Sequence, residues 1–314
     1  MREQSNKNLL VCLTPLQMLI ASKIVEQNPA SYDVLCLSYN KNEKYDHYFN
    51  KLSLVCENSY RFIVYSENKI YRIFDFVRFK FYLFKILKNK YSKIYLASID
   101  NPFFHLLLSV VKKDQILTFD DGTANIYQKS NYYNYQNKSA LQRVVLKSLG
   151  NKYSTKRVIN ESEKHFSIYK GYKNIIDNTS YIPIISAADL PLFDKKIKIF
   201  LGQPIHNLKG GDAEKILSFI KKIGVEYYFP HPRENKRYDG IDYIDSPLIF
   251  EDYILKLLIE GYFVELYTVL STAALNVASL RNIEIIVLHE ENLGKNYAEF
   301  YQLFESIDCK TLNF

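Results

Sequence analysis

His231 and Arg233 follow an apolar, aromatic run in the segment EYYFPHPREN, residues 226–235. An imidazole beside a guanidinium offers charge-assisted hydrogen bonds that suit a phosphate group. The same residues, with Pro232 between them, are also compatible with a surface turn that carries a solvated arginine. The HPR sequence therefore indicates either an anion site or an ordinary turn after a strand.

A second pattern of this kind is YTVLSTAALN, residues 267–276, where a β-rich run passes directly into a helix predicted over 271–280. Ser271 or Thr272 stands at the cap position of that helix. Backbone N–H groups and hydroxyls at a helix start can bind an anion, although plain N-capping is the alternative interpretation. Two such patterns at successive strand ends of one domain favour a binding site.

Two further segments carry carboxylates. In SPLIFEDYIL, residues 246–255, Glu251 lies in the first turn of a predicted helix, where the helix dipole favours it. Such a fixed carboxylate could also accept the hydroxyls of a ribose. In TFDDGTANI, residues 118–126, Asp120 and Asp121 end a predicted strand and could supply a base, a metal ligand or an Asx turn. Metal binding is the weakest of these, since no D-x-D or His cluster accompanies them.

The segment LGQPIHNLKGGD, residues 201–212, ends another predicted strand with Gly202 and Gln203 and continues into a polar loop. His206 or Asp212 in that loop could take a proton from the hydroxyl of an acceptor. Asp212 is equally typical of a helix N-cap.

These polar segments lie where predicted strands end, because strand-like and helix-like segments alternate along the chain. Strands are predicted at 9–13, 33–38, 61–66, 93–98, 115–119, 196–202, 225–229, 263–268 and 283–288. Helices are predicted at 15–27, 71–90, 102–112, 212–223, 250–259 and 271–280. The alternation predicts an α/β protein of parallel βαβ units with two domains, 1–185 and 186–314. Such sheets bind ligands outside the carboxyl ends of their strands, so the polar segments are expected to line a cleft between the domains.

The composition is that of a globular protein with a basic and aromatic bias. The 314 residues include 27 Tyr, 20 Phe and no Trp, and the formal net charge is +7. The bias has two explanations, a compositional bias of the genome and attraction to an anionic partner such as a membrane surface or a charged sugar nucleotide. Because the basic residues are scattered and no RRM, KH or helix-turn-helix signature accompanies them, no nucleic-acid partner is predicted.

Cysteine spacing and hydropathy bear on the compartment. The four cysteines show no zinc-type spacing, and Cys12 and Cys36 stand in apolar runs that are typical of buried free thiols. No apolar stretch approaches 18 uninterrupted residues, so we predict a cytoplasmic protein without a transmembrane helix. The basic aromatic segment 71–93 predicts a helix that either lies on an anionic membrane or packs in the core with its lysines extended to solvent.

Several ordered segments resemble the bacterial lipooligosaccharide sialyltransferases of glycosyltransferase family 52, of which the neisserial enzyme is the type. They are NLLVCLTPLQM at 8–18, NEKYDHYFN at 42–50, KIYLASID at 93–100, TFDDGT at 118–123, IYKGYKNIID at 168–177, HPR at 231–233, SPLIFEDYI at 246–254 and YTVLSTAAL at 267–275. The resemblance runs nearly end to end. It implies a GT-B architecture, two Rossmann-like domains facing a central cleft, and an enzyme that needs no cofactor and no obligatory metal. The implied reaction is inverting transfer of sialic acid from CMP-sialic acid to a galactose-terminated glycan acceptor.

The resemblance also implies residue roles. His231 would donate to the phosphate and assist departure of CMP, and Arg233 would support that loop and the nucleotide. Ser271 and Thr272 would hold the phosphate oxygens, and Glu251 the ribose. The predicted substrate-binding set is Gly202, Gln203, Pro232, Arg233, Glu251, Ser271 and Thr272.

The general base is where this sequence departs from the neisserial type. There an aspartate directly follows the Leu-Gly-x-Pro strand end, whereas here Ile205 and His206 follow Pro204. His206 is therefore the first candidate, because a neutral imidazole can accept a proton near pH 7. Asp212 is the second candidate, and Asp121 is the third, by analogy with the acid-acid-glycine motif of another sialyltransferase family.

The neisserial type also begins with a hydrophobic anchor, whereas this chain begins almost at the first predicted strand. Membrane contact is therefore expected from segment 71–93, and a homodimer is expected from the same resemblance. Two other functions stay open at this point. One is a transferase of the same fold that uses another nucleotide sugar, and the other is a non-catalytic nucleotide- or glycan-binding module.

Overall fold

The computed structural model describes residues 7–39, 42–65, 71–87, 90–134, 140–185, 190–232, 234, 236–307 and 309–314. The chain divides into two compact units, Met1–Ile184 (unit 1) and Ile185–Phe314 (unit 2). Each unit is a parallel β-sheet with helices in its crossover connections.

Unit 1 is built around a parallel sheet with the strand order β3-β2-β1-β4-β5-β6-β7. Its elements are β1 (Lys7–Cys12), α1 (Pro15–Gln27), β2 (Ser31–Ser38), α2 (Glu43–Ser53), β3 (Asn58–Ile63), α3 (Arg72–Ile86), β4 (Tyr91–Leu96), α4 (Pro102–Val110), β5 (Lys113–Phe119), α5 (Ala140–Ser148), α6 (Thr155–Glu161), β6 (Ser162–Ser167) and β7 (Thr179–Tyr181). The order reverses between β1 and β4, where Leu9 pairs with Ile94. A doubly wound sheet binds its ligands at the carboxyl ends of the strands beside such a reversal.

The central strands of unit 1 are apolar on both faces. Leu9, Leu10 and Val11 of β1 are fully buried, as parallel strands covered by helices on each side require. The turn after β1 leads directly into α1, where the Thr14 side chain accepts the Gln17 N–H and the first residue is Pro15. Proline is favoured at that position because its missing N–H would have no intrahelical partner.

Unit 2 repeats the doubly wound arrangement with the strand order β10-β9-β8-β11-β12-β13. Its elements are β8 (Lys195–Leu201), α7 (Ala213–Lys222), β9 (Tyr227–Phe229), β10 (Asp242–Tyr243), α8 (Phe250–Ile259), β11 (Tyr262–Thr268), β12 (Ile283–His289), α9 (Glu291–Glu305) and β13 (Lys310–Asn313), with 3-10 turns at Ile205–Asn207 and Thr272–Val277. The order reverses between β8 and β11, which pair in parallel from Lys195 with Tyr262 to Leu201 with Thr268. The carboxyl ends of these two strands therefore lie side by side.

Two predicted helices are wrong in part. The helix predicted over 71–93 ends at Ile86, and Tyr91 already begins β4, where it is buried and pairs with Lys113. The helix predicted over 271–280 is a 3-10 turn over Thr272–Val277, so Ser271 does not begin an α-helix. In both places an element of the sheet fixes the local chain path more strongly than helix periodicity does.

The cysteine prediction is confirmed for the residues named above, because Cys12 and Cys36 are buried free thiols. In the described part of the chain, no helix is both long enough and apolar enough to cross a membrane.

Candidate active site

The carboxyl end of β8 passes close to that of β9, and this contact requires a glycine. The Gly202 N–H donates to the carbonyl oxygen of Phe229 over 2.9 Å. A Cβ at Gly202 would lie 2.3 Å from the ring of Tyr228 and 2.7 Å from the carboxylate of Glu234. No other residue would fit without moving the aromatic ring or the carboxylate.

His231 and Pro232 follow β9 in a turn that Glu234 holds closed. The Glu234 Oε2 accepts the backbone N–H of His231 over 3.2 Å, and Oε1 accepts the Tyr228 hydroxyl over 2.6 Å. The Glu234 N–H in turn donates to the His231 carbonyl oxygen over 2.9 Å. His231 is partly exposed and Pro232 is exposed, whereas Arg233 lies outside the described residues.

Burial is the main cause of the shifted pKa values of Glu234 and Tyr228. Burial raises the pKa of the Glu234 carboxyl, and the hydrogen bonds from Tyr228 and from the His231 N–H, with the charge of His206, oppose that rise. Burial, with the adjacent Glu234 carboxylate, raises the pKa of the Tyr228 hydroxyl far above its ordinary value. Tyr228 therefore stays protonated and keeps donating to Glu234.

Glu251 connects the start of α8 to the 3-10 turn after β11. It is 5% exposed, and its Oε1 accepts the Asn276 side-chain amide over 2.6 Å. The neighbouring Phe250 packs edge-on against Phe229 of β9, with ring centroids 5.5 Å apart. The beginning of α8 is thus held against both β9 and the turn that carries Ser271.

The turn after β11 begins with a hydroxyl that helix capping does not use. Ser271 is the residue before the 3-10 turn, and its side chain makes no capping hydrogen bond. Its backbone N–H donates to Oγ1 of Thr268 over 3.4 Å, and Thr272 is partly buried. Gln203 crosses from the end of β8 and accepts the Leu270 N–H over 3.2 Å.

The two predicted base candidates of unit 2 occupy different settings. His206 is exposed on the 3-10 turn Ile205–Asn207, close enough to Glu234 for its charge to act on that carboxyl. Asp212 caps α7, since its Oδ1 accepts the Lys215 N–H over 3.1 Å. The helix-cap interpretation of Asp212 thus describes what this carboxylate does in the structure.

Unit 2 therefore brings the predicted residues of four segments to one edge of its sheet. Gly202 touches β9, Gln203 touches the β11 turn, and Glu251 joins α8 to that turn. Sequence reasoning missed Glu234 and Asn276, which hold this edge together. A signal for Glu234 was present, because a carboxylate three residues after His231 can reach back to its backbone N–H.

The corresponding edge of unit 1 carries Asp121 in a hydrogen-bonded cluster. Its Oδ1 accepts Gln17 Nε2 over 2.6 Å, and its Oδ2 accepts the hydroxyls of Ser98 over 2.8 Å and Tyr132 over 2.6 Å. Ser98 takes a positive φ of 43°, which a residue with a side chain rarely adopts. These donors fix the orientation of a carboxylate that is still partly exposed.

A second, fully buried cluster lies behind Asp121. Asp120 contacts His165 Nε2 over 2.8 Å and accepts from the Ser167 hydroxyl over 2.8 Å and the Ile168 N–H over 2.7 Å. All of these side-chain groups are shielded from solvent, which assigns Asp120 to holding β5 against β6. Among the described residues, no group of three or more His, Cys, Asp or Glu side chains is arranged to hold a metal ion.

The sequence model described as glycosyltransferase family 52 matches residues 31–292. A Pasteurella multocida (strain Pm70) protein named CMP-N-acetylneuraminate:beta-galactoside alpha-2,3-sialyltransferase is 32% identical and covers 98% of this chain and 99% of its own length. Two proteins named N-acetyllactosaminide alpha-2,3-sialyltransferase are also similar. The one from Haemophilus influenzae is 34% identical, over 88% of this chain and 90% of its own. The one from Neisseria meningitidis is 32% identical, over 98% of this chain and 85% of its own.

Among solved structures, the glycotransferase of kitacinnamycin is similar with a TM-score of 0.54 at 9% identity, over 98% of this chain and 86% of that one. At such low identity the likeness concerns the fold alone. Together with the two parallel α/β sheets, it confirms the predicted GT-B fold class.

Proposed function

The chain belongs to glycosyltransferase family 52, and on that premise we propose that it transfers sialic acid from CMP-sialic acid to a terminal galactose of lipooligosaccharide or a related surface glycan. The observation that carries this proposal is the end-to-end similarity to a relative named for that donor and for β-galactoside acceptors. All three relatives are named α-2,3-sialyltransferases, so we propose an α2,3 linkage.

The reaction is a displacement at C2 of sialic acid. The acceptor hydroxyl oxygen forms a bond to C2, the bond from C2 to the phosphate oxygen breaks, and CMP leaves with the electron pair of that bond. A base takes the hydroxyl proton, and attack from the face opposite CMP inverts the configuration. Charge grows on the phosphate as the bond breaks, so donors aimed at the phosphate contribute most to the rate, about 3 kcal/mol for one well-placed donor.

His231 is proposed to donate to the departing phosphate. The turn that carries it is fixed by the contacts of Glu234 with its backbone, and such fixation preorganises a donor before the charge develops. The hydroxyls of Ser271 and Thr272 are proposed to hold the phosphate oxygens. Support comes from the absence of a capping bond at the Ser271 side chain.

Glu251 is proposed to position the ribose. Its Oε1 is engaged by Asn276, which fixes the direction of the carboxylate at the start of α8. Gly202, Gln203, Pro232 and Arg233 complete the proposed donor site, with Arg233 assigned from the family resemblance alone.

His206 is the proposed general base. Its exposure on the turn directly after β8 leaves the imidazole accessible to an acceptor, and it shares this edge of unit 2 with Glu234. Asp121 is the alternative, favoured by the donors that hold its carboxylate in one orientation. Asp212 ranks below both because it caps α7. No metal or other cofactor is proposed for the transfer.

We further propose that the protein works at the inner face of the membrane, with α3 and α5 as the contact surface. Five large apolar side chains on these helices are 56–70% exposed, namely Phe74, Phe81, Phe84, Leu141 and Val144. The two helices pack together and carry six basic residues, Arg72, Arg78, Lys80, Lys85, Arg143 and Lys147. Their one acidic residue, Asp75, is buried and paired with Arg78 at 2.9 Å, so the outward charge is positive and fits anionic lipid.

The decisive experiment measures CMP release from CMP-sialic acid by purified protein, with and without lactose, in the presence of EDTA. Acceptor-dependent release, with a product cleaved by an α2,3-specific sialidase, is the expected result. A His231→Ala variant serves as the control for contaminating activity and should release CMP at least 100-fold more slowly. Consumption of a UDP- or GDP-sugar instead would reassign the donor, and CMP binding without release from any donor would indicate a binding module. Light scattering on the same preparation would test the homodimer that the family resemblance leads us to expect.

A further inference from the structure

The amide oxygen of Gln203 accepts a hydrogen bond, whereas the amide nitrogen has no partner among the residues that the structure describes. Its Oε1 accepts the Leu270 N–H over 3.2 Å, which fixes the orientation of the amide because only the oxygen can accept. Its Nε2 is buried and has no hydrogen-bond partner among the residues that the structure describes. The whole side chain is 6% exposed. A buried donor in this state is rare in native proteins, because the amide has lost its water without gaining an acceptor.

The position of this donor is as informative as its burial. Gln203 follows β8 and reaches Leu270 after β11, so its amide bridges the two strand ends between which the strand order reverses. Ligands of doubly wound sheets bind at that point. The preceding residue, Gly202, cannot carry a side chain there, since a Cβ would collide with Tyr228 and Glu234. Gln203 is thus the first side chain after β8 that can reach a ligand.

The neighbouring groups indicate what kind of ligand oxygen the amide meets. The Leu270 N–H that binds the Gln203 amide is followed in the chain by Ser271, whose hydroxyl is not used for capping. An amide N–H and a serine hydroxyl both donate, and neither carries a charge that would hold an anion too tightly for release. Two neutral donors at one strand reversal suit an oxygen that is already negatively charged.

We propose that Gln203 recognises the donor substrate by donating a hydrogen bond from Nε2 to an anionic oxygen of CMP-sialic acid. This inference rests on the function proposed above. Two groups of the donor supply such an oxygen, the phosphate and the sialic acid carboxylate, and CMP carries only the first of them. Binding of CMP and of CMP-sialic acid therefore distinguishes the two sources.

The substitution Gln203→Glu tests the donor selectively. The carboxylate keeps an oxygen that can accept the Leu270 N–H, and it replaces the Nε2 donor with a second, negatively charged oxygen. The matched control is Gln302→Glu, the same chemical change at an exposed position of α9 in the same unit. Thermal unfolding of both variants verifies that they fold. If Gln203→Glu does not fold, Gln203→Met removes the donor at similar volume without adding a charge.

The measurements are calorimetric titration with CMP and with CMP-sialic acid in the absence of acceptor, and the donor KM. A hydrogen bond to a charged oxygen is worth about 10- to 100-fold in affinity, so Gln203→Glu should weaken CMP-sialic acid binding by at least tenfold. Equal weakening of CMP binding assigns the phosphate, and unchanged CMP binding assigns the carboxylate. A folded variant that binds CMP-sialic acid within threefold of the wild type would overturn the inference alone. Wild-type protein that binds neither compound would overturn the proposed function, and the inference with it.

Discussion

The side-chain amide of Gln17 donates to Oδ1 of Asp121 over 2.6 Å, although the two residues are 104 positions apart in the chain. Gln17 lies in the first turn of α1, directly after β1, and Asp121 lies in the turn after β5, so this bond joins two strand ends of unit 1 across the intervening β4. Ser98, from the turn after β4, also accepts from Gln17 and donates to Asp121. The Asp121 carboxylate therefore accepts hydrogen bonds from the residues that follow both of the other strand ends.

Replacing this acceptor should destabilise unit 1. In Asp121→Asn, one carboxylate oxygen becomes an NH2 group that must face donors from Gln17, or from Ser98 and Tyr132. We expect the free energy of unfolding to fall by about 1–3 kcal/mol, as for a buried donor that loses its acceptor. Urea unfolding measures this, with Asp177→Asn at an exposed position of the same unit as control. Equal unfolding midpoints for the two variants would contradict the structural role of Asp121.

Much of the fold follows from the sequence because the central strands are long, apolar and buried on both faces. The short edge elements do not follow in this way. β10 has two residues, Asp242–Tyr243, which is too short for any period to be seen. α9 contains Gly294 and leaves helical angles at Tyr297, so its helical pattern is interrupted twice.

In the candidate site, too, features that are continuous in sequence could be predicted, whereas contacts between residues far apart in the chain could not. The HPR and STAAL segments could be recognised because each is continuous in sequence. The contacts of Gln203 with Leu270 and of Glu251 with Asn276 join residues 67 and 25 positions apart. No local pattern encodes such pairs, since they depend on which strands become neighbours in the sheet.

Glu234 should make stability depend on pH in a predictable direction. Burial raises the pKa of its carboxyl in the folded protein above the unfolded value, so the folded state retains the proton longer. The stability contributed by protonated Glu234 is fully present below the ordinary carboxyl pKa and is lost as pH rises through the raised one. Glu234→Gln mimics the protonated form and has no such loss.

The measurement is urea unfolding of the wild type and Glu234→Gln across the pH range from about 4 to 7. The stability of the wild type relative to the variant should decline as the pH increases. Glu226→Gln, at an exposed position one residue before β9, controls for general carboxylate effects. A difference that grows with pH would mean that hydrogen bonds to ionised Glu234 outweigh its burial.

Asn276 should contribute to both stability and donor binding because it fixes Glu251. Asn276→Ala removes a 2.6 Å hydrogen bond to a carboxylate that is 5% exposed. We expect a loss of about 1–3 kcal/mol in unfolding free energy, together with an increased KM for CMP-sialic acid. Asn292→Ala, on the exposed face of α9, is the matched control. An unchanged KM in a destabilised Asn276→Ala variant would separate Glu251 from the donor site.

Replacing His206 should mainly lower turnover, whereas replacing Asp212 should mainly lower stability. His206→Ala should lower turnover at saturating donor by about 10²- to 10⁴-fold, the usual contribution of a general base, with little loss of stability since the residue is exposed. Asp212→Ala should keep turnover within about threefold but lose about 1 kcal/mol of stability, because it removes the cap of α7. Near wild-type turnover of His206→Ala, with a large loss in Asp121→Asn at a temperature where that variant is folded, would transfer the base role to Asp121.

The exposed phenylalanines of α3 should control membrane binding. Phe74, Phe81 and Phe84 lie on one face of the helix, because separations of seven and three residues place them within an arc of about 80° around the helix axis. Their side chains are 69%, 70% and 56% exposed. Replacing all three with Ser should reduce sedimentation with phosphatidylglycerol vesicles at low salt by at least tenfold, while neutral phosphatidylcholine vesicles should bind weakly even before the change.

The control is the double variant Leu54→Ser, Leu192→Ser. It removes apolar groups that are 86% and 95% exposed elsewhere on the protein, and it should bind vesicles like the wild type. Vesicle binding unaffected by the triple change would remove the surface from membrane contact. Conversion of a dimer to a monomer by that change would assign the surface to a second copy of the chain.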